Sequence, residues 1–302
     1  MSAGEKGAGE KGAGEKGAPV PAVAVCASCP RRCHLAPGAL GVCRARRNVG
    51  GRVVPEGYGR LTSLALDPVE KKPLARWRPG SYVVSVGSYG CNLACPFCQN
   101  HDIAQAGSGD VGWREVAPDE LVEVALEARR RDPRVVGIAH TYNEPLVGWE
   151  YVRDCARLAR EAGLANVLVS NGCACDSVLG ELDGLVDAAN IDLKGFSDEV
   201  YRACGAPEGA FDCVRHTIET LAADPTCHLE VTTLVVPGLS DSEETVGSIA
   251  HWLAGLGDVT YHVTRFFPRW RMTDRAATPV SDVYRLADVA RRSLPHVYAG
   301  NC

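Results

Sequence analysis

Residues 81–100 read SYVVSVGSYGCNLACPFCQN, and the reading of this stretch decides the fold. The first part, SYVVSVG, is an apolar, β-branched run of strand length that ends in glycine, as a buried strand does. The second part places Cys91, Cys95 and Cys98 within eight residues at the end of that strand. Three thiols in one loop are one short of a closed tetrahedral metal site.

Downstream, strand-like and helix-like patterns alternate. APDELVEVALEARR (117–130) carries apolar residues at helical spacing, with Asp119 and Glu120 in its first turn. RVVGIAHTYNEP (134–145) reads as a strand, followed by a helix from about Leu146 to Gly163. ANVLVSNG, LVDAANIDLKG, HLEVTTLVVPG and DVTYHVTRFFP complete six strands, with helical segments such as SEETVGSIAHWLAGL between them. Six βα units in series imply a parallel α/β sheet with right-handed crossovers, either doubly wound or closed into a partial barrel. Both architectures put their sites at the carboxyl ends of the strands. There the sequence places the cysteine loop, TYNEP, SNG, DLKG, VPG and TRFFP, so six strand ends with unusual residues are expected at one mouth.

The composition narrows the function classes. Of 302 residues, 46% are hydrophobic and 23% charged, as in an ordinary globular chain. A net charge of −5 argues against broad nucleic-acid or membrane binding. Neither an eighteen-residue apolar run nor a secretory leader pattern is present, so a cytoplasmic location is expected. Residues 1–19 repeat GEKGA three times and read as a disordered tail. Residues 20–80 form a Pro-, Gly- and Arg-rich segment, and 81–302 the catalytic core. Fourteen cysteines in such a chain point to metal rather than to disulfides. Seven fall into two groups: Cys26, Cys29, Cys33 and Cys43, then Cys91, Cys95 and Cys98. Cys155, Cys173, Cys175, Cys204, Cys213, Cys227 and Cys302 are scattered, as small buried hydrophobes would be.

Thiolates bind soft metals and iron–sulfur clusters, and most clusters take four. A structural zinc would more often use paired C-x-x-C knuckles, and here only Cys95 and Cys98 form one. The C-x-x-x-C-x-x-C loop after the first strand of a βα array resembles the radical S-adenosylmethionine (SAM) superfamily. LDPVEKKPLARWRPG, GCNLACPFCQNHDIAQ, TYNEPL, NIDLKGF, YHVTRFFP and VYAGN resemble the radical SAM member of the AmmeMemoRadiSam system, a relative of pyruvate formate-lyase activating enzymes. The N-terminal CASCPRRCHLAPGALGVCRARRN resembles that group's amino-terminal segment. The resemblance implies a partial (β/α)6 TIM-like barrel in which Cys91, Cys95 and Cys98 hold a 4Fe–4S cluster. SAM would occupy the fourth iron and be cleaved to a 5′-deoxyadenosyl radical that abstracts hydrogen.

By the same resemblance, Tyr142, Asn143 and Glu144 approach the SAM amino group. Asn143 and Pro145 would equally suit the start of a helix. Ser170 and Asn171 belong to the SAM environment, with Gly172 freeing the backbone. Val169 stands where related activating enzymes carry an aspartate of a cation site. Asp192 and Lys194 share a strand face, so they neutralise each other or, as the resemblance implies, meet the SAM ribose and carboxylate. Phe267 replaces a histidine of relatives, His262 reads as structural, and Pro237 and Gly238 shape an adenine pocket through backbone. Relatives often continue past VYAGN into further cysteines, whereas this sequence stops at Cys302, so that segment is expected to be missing or replaced.

Cys26, Cys29, Cys33 and Cys43 supply enough thiolates for a second site, which would hold zinc or an iron–sulfur cluster or be only a redox-active remnant. Arg31, Arg32, Arg44, Arg46 and Arg47 around them are expected to lower the thiol pKa values. The expected partners are SAM, a reductant such as flavodoxin or ferredoxin, and a protein substrate, with no membrane and no nucleic acid. Activation of a glycyl radical enzyme is the alternative within the class. A rival class is an iron–sulfur electron carrier or a metal-stapled RNA-binding module. A carrier would need four thiolates at the first site, and a nucleic-acid binder would need a basic stripe.

Overall fold

The computed structural model describes residues 22–302, so the GEKGA tail lies outside the described residues. From 22 to 61 the chain forms short antiparallel pieces. β1 (Ala24–Val25) pairs with β2 (His34–Leu35), and β3 (Arg46–Val49) with β4 (Arg52–Pro55), followed by β5 (Arg60–Leu61). Next come β6 (Ser63–Pro68), β7 (Tyr82–Gly87), the short α1 (His101–Ala104) and β8 (Arg114–Glu115), which returns to pair with β5. The remaining chain alternates: α2 (Pro118–Arg131), β9 (Val135–His140), α3 (Trp149–Glu161), β10 (Ala165–Ser170), α4 (Asp176–Leu182) and β11 (Ala188–Asp192). After α5 (Asp198–Ala203) and α6 (Ala210–Ala223) come β12 (His228–Val235), α7 (Glu243–Ala254), β13 (Thr260–Arg265), α8 (Val280–Arg291) and β14 (Val297–Gly300).

Eight strands join one sheet in the order β6-β7-β9-β10-β11-β12-β13-β14. Strand order never reverses, so there is no switch point of the doubly wound kind, and successive crossovers lie on the same face. The two ends, β6 and β14, do not pair with each other, leaving an open, barrel-like wall. The six expected strands are all present and parallel. Two more extend the sheet: β6, antiparallel to β7, and β14, parallel to β13. The sheet therefore begins at residue 63 rather than 81. Residues 63–80 read as irregular because their apolar positions serve an edge strand and a tightly turned segment rather than one long period.

That turned segment closes the amino-terminal end of the concave face. Val69, Leu74 and Trp77 pack against Val83, Ala139, Val167 and Ala188. Asn190 donates to the Pro73 carbonyl at 2.8 Å, and Glu230 accepts from the backbone amides of Ala75 (3.0 Å) and Arg76 (2.9 Å). The Glu230 side chain is fully buried and also meets His228 Nε2 at 2.9 Å and His262 Nε2 at 2.5 Å. Four partners offset the cost of burying a carboxylate, and its pKa falls to about 2 although burial alone would raise it. His262 thus takes part in fixing the floor. On the convex face the helices bury their apolar stripes: α2 and α3 cover β7 and β9 through Leu121, Ala125, Tyr151 and Cys155. The expected helix from Leu146 starts with a 3₁₀ turn, Pro145–Gly148, before α3, because Pro145 occupies the first-turn position.

Candidate cluster and cofactor site

Because strand residues alternate faces, the residues two positions beyond the floor contacts share their side of the sheet. Two beyond Asn190 is Asp192, two beyond Glu230 is Thr232, and two beyond His262 is Thr264. In register Asp192 lies opposite Thr232 and Thr232 opposite His262, while Thr264 lies two residues further along, opposite Leu234. Above the floor the concave face is thus polar. Lys194 Nζ reaches Asp192 Oδ2 at 2.8 Å, and Lys194 is the more enclosed of the two. Burial disfavours its charge, yet Asp192 and the neighbouring Cys95 hold its pKa above the ordinary lysine value. Two hydroxyls on this face, Ser85 Oγ and Thr232 Oγ1, are buried without a hydrogen-bond partner among the described residues.

The loop after β7 brings Cys91, Cys95 and Cys98 over the same face, where they pack with Leu93, Phe97, Cys204, Leu234, Val236 and Phe266. Burial pushes the Cys91 and Cys98 thiols up, and a hydrogen bond with Cys204, then burial, pushes up Cys95. Thiolates at these positions therefore need a cationic partner, which an iron–sulfur core supplies. Unpartnered hydroxyls and a lysine beside a carboxylate suit a zwitterionic, hydroxyl-rich ligand next to that core. The residues present fit a cluster with SAM.

Glu144 organises the back of the loop. Its carboxylate is buried and accepts from Leu146 N (2.9 Å), Ser170 Oγ (2.7 Å) and Asn171 N (2.8 Å). Burial raises its pKa, and the Asn171 and Leu146 amides oppose the rise. Asn171 then donates to Asn92 Oδ1 at 2.9 Å and lies 3.6 Å from Cys91 Sγ. Asn143 fixes the loop entry, accepting from Ser88 N at 2.9 Å and donating to the Tyr89 and Gly90 carbonyls. Tyr142 sits in the left-handed region at φ 70°. Its ring lies against Gly87, where an added Cβ would come 2.9 Å from Tyr142 Cβ. Its hydroxyl donates to Asp67 Oδ2 at 2.6 Å, and Lys72 Nζ binds the same oxygen while stacking over the Tyr142 ring. Asn143, Glu144, Ser170 and Asn171 thus form one bonded network behind the cysteine loop, whereas Tyr142 bonds Asp67 and Asn100 instead, and Asp192 and Lys194 stand across the concave face.

Sequence reading missed Asn92, Cys204, Thr232, Glu230 and the Asp67–Lys72 pair. A lone glutamate inside HLEVTTLVV was the available signal for Glu230, and Asn92, Asp67 and Lys72 lie within the stretches GCNLACPFCQNHDIAQ and LDPVEKKPLARWRPG that carry the resemblance. Pro237 accepts from Arg275 Nη1 at 2.6 Å and Gly238 has φ 72°, so that turn is anchored to a later loop. Phe267 is exposed and lies under the Arg265 guanidinium, which is itself bonded to the Thr278 carbonyl.

The N-terminal cysteines correct one expectation. Burial pushes the Cys29 thiol up to about 12 and raises Cys43, where it outweighs the lowering by the Arg46 charge. Four of the nearby arginines also have partners of their own: Arg44 pairs with Asp110, Arg46 with Glu150 and Arg47 with Glu56, and Arg31 bonds the Gly205 carbonyl. The scattered cysteines also divide: Cys155, Cys173 and Cys204 are buried, whereas Cys302 is exposed.

Comparison with known proteins places this arrangement. A model of the Radical SAM superfamily matches residues 85–252. An uncharacterized protein of Methanocaldococcus jannaschii is 38% identical over 279 residues, covering 91% of this chain and 80% of its own. The pyruvate formate-lyase 1-activating enzyme of Escherichia coli K12 is 25% identical over 175 residues, or 56% of this chain and 68% of that one. A radical SAM methyltransferase from Sphaerobacter thermophilus shares the fold with a TM-score of 0.57 at 16% identity, covering 74% of this chain and 68% of its own. Among the described residues no helix is long and apolar enough to cross a membrane. With the family match spanning the cysteine loop and five of the sheet's parallel strands, the chain belongs to the radical SAM superfamily.

Proposed function

We propose that this chain is a radical SAM enzyme acting on a protein substrate, in the manner of an activating enzyme. The observation that carries the reading is the gathering of three thiols, Cys95 buried and Cys91 and Cys98 half-buried, over a polar concave face with two unpartnered hydroxyls. A 4Fe–4S cluster on Cys91, Cys95 and Cys98 would supply the electron that cleaves SAM to methionine and a hydrogen-abstracting 5′-deoxyadenosyl radical.

The chain's own residues bind and orient. Lys194 offers a charge to the SAM carboxylate, and Asp192 and Thr232 offer an acceptor and a donor to its hydroxyl and amino groups. Glu144 works through Ser170 and Asn171 to hold the Cys91 side of the loop, and Asn143 fixes the loop's entry. Residues 69–77 exclude water from below, which protects a reactive radical. The protein-substrate reading is supported by the E. coli relative, whose name makes pyruvate formate-lyase its target. An electron for each turnover would come from a flavodoxin- or ferredoxin-type carrier. Activation of a glycyl radical enzyme is the narrower form of this reading.

The test is anaerobic reconstitution with iron and sulfide, followed by reduction with and without SAM. A SAM-dependent change in the electron paramagnetic resonance spectrum is expected, together with 5′-deoxyadenosine. Both should vanish in the C91A/C95A/C98A variant. A spectrum indifferent to SAM, with no 5′-deoxyadenosine, would overturn the reading.

A further inference from the structure

Cys26, Cys29, Cys33 and Cys43 line a single small space beneath the N-terminal segment, together with Arg31, Arg46 and Asn92. Among the described residues, no three His, Cys, Asp or Glu side chains converge on a point that would hold a single metal ion. A tetrahedral zinc needs its sulfurs about 2.3 Å from one centre, whereas a 4Fe–4S cluster takes its four thiolates around a wider core. The same spread holds for Cys91, Cys95 and Cys98, the loop whose family uses it for a cluster. Two guanidinium groups supply a second, independent observation. Arg31 Nε and Arg46 Nε are both buried with no hydrogen-bond partner among the described residues, and Arg46 is only 5% exposed. An unpaired buried N–H is costly, and bridging sulfides of an anionic cluster are acceptors that would satisfy it.

We infer that these four thiolates hold a second iron–sulfur cluster of the 4Fe–4S type, closed by protein ligands and packed directly behind the first. Four protein thiolates leave no open iron, so this cluster does not bind SAM. The two loops share a wall. Asn92, which follows Cys91, lines the space and bonds Asn171 on its other side. Gly90, which precedes Cys91, has φ 87°, and a Cβ there would collide with the Cys43 carbonyl oxygen. Arg31 ties the same segment to Gly205, next to Cys204, whose carbonyl accepts from Ala94 N within the Cys91–Cys98 loop. The chain thereby carries a second one-electron centre beside the first, reducible by the same class of low-potential carrier protein.

The inference depends on the proposed function only for the identity of the neighbouring cluster, and the test separates the two. The full-length C91A/C95A/C98A variant, reconstituted anaerobically, should keep about four iron and four sulfide per chain, with a reduced-cluster spectrum that SAM does not alter. The complementary C29S/C43S variant should keep the SAM-responsive cluster and lose the other. In the doubly reduced wild type, each centre's signal should be broadened by its neighbour, and neither variant should show this. A C91A/C95A/C98A protein that carries one zinc and no sulfide, or no metal at all, would overturn the inference, as would wild-type signals free of broadening. Failure of the radical SAM reading would show separately, as a wild type whose spectrum ignores SAM.

Discussion

Replacing Glu230 with glutamine tests whether the floor of the concave face is held by one buried carboxylate. Glu230 accepts from two backbone amides of the 69–77 segment and faces His228 and His262. Its pKa drops from an ordinary 4.5 to about 2. At about 1.4 kcal/mol per pH unit, that depression corresponds to about 3 kcal/mol of native-state stabilisation. The sign follows from the depressed folded value. The contribution is complete above the unfolded carboxylate pKa and is lost as pH falls from there through about 2. Glutamine keeps the volume but turns one acceptor into a donor. Oε1 serves Arg76 N and Oε2 serves Ala75 N, so either amide orientation leaves one backbone N–H facing another donor. At pH 7, urea unfolding of the anaerobic apoprotein should show a loss of about 3 kcal/mol with an unchanged slope. Amide hydrogen exchange at Ala75 and Arg76 should accelerate in the variant. The gap between wild type and E230Q should narrow as the pH is lowered toward 2. A variant within about 0.5 kcal/mol of wild type at pH 7, or a gap that does not narrow in acid, would refute the argument.

Two further outcomes bear on the site itself. Glu144→Gln leaves either Asn171 N or Leu146 N without its acceptor, so it should cost about 1–3 kcal/mol in stability and weaken SAM binding through the displaced Asn171. Calorimetry of reconstituted protein with SAM reads the second effect, and unchanged affinity would deny Glu144 its positioning role. Thr232→Val removes a buried hydroxyl with no partner, so the apoprotein should be as stable as wild type or up to about 1 kcal/mol more so. The same variant should bind SAM several-fold more weakly, and equal affinity would exclude Thr232 from the binding face.

By itself the sequence determined the parallel wall and the thiol loop. Strands and helices are local patterns, carried by alternation in YVVSVG and by helical spacing in 117–130, and a tight cysteine loop is visible because its ligands are neighbours in the chain. It also showed that the polar strand ends share one end of the sheet, since parallel strands all point one way. Only the tertiary structure decided between a doubly wound and a barrel-like sheet, because that rests on strand order, which no single strand encodes. The same holds for residues 63–80, whose apolar side chains find their partners across β7, β9, β10 and β11 rather than along their own segment. The expectation that arginines activate the N-terminal thiols failed for a related reason. Proximity in sequence placed the cations beside the cysteines, but the fold gave Arg31 a carbonyl 174 residues away, Arg44 a carboxylate 66 residues away and Arg46 one 104 residues away. Charge is legible from sequence, whereas what neutralises it depends on which distant segments the packed core brings alongside.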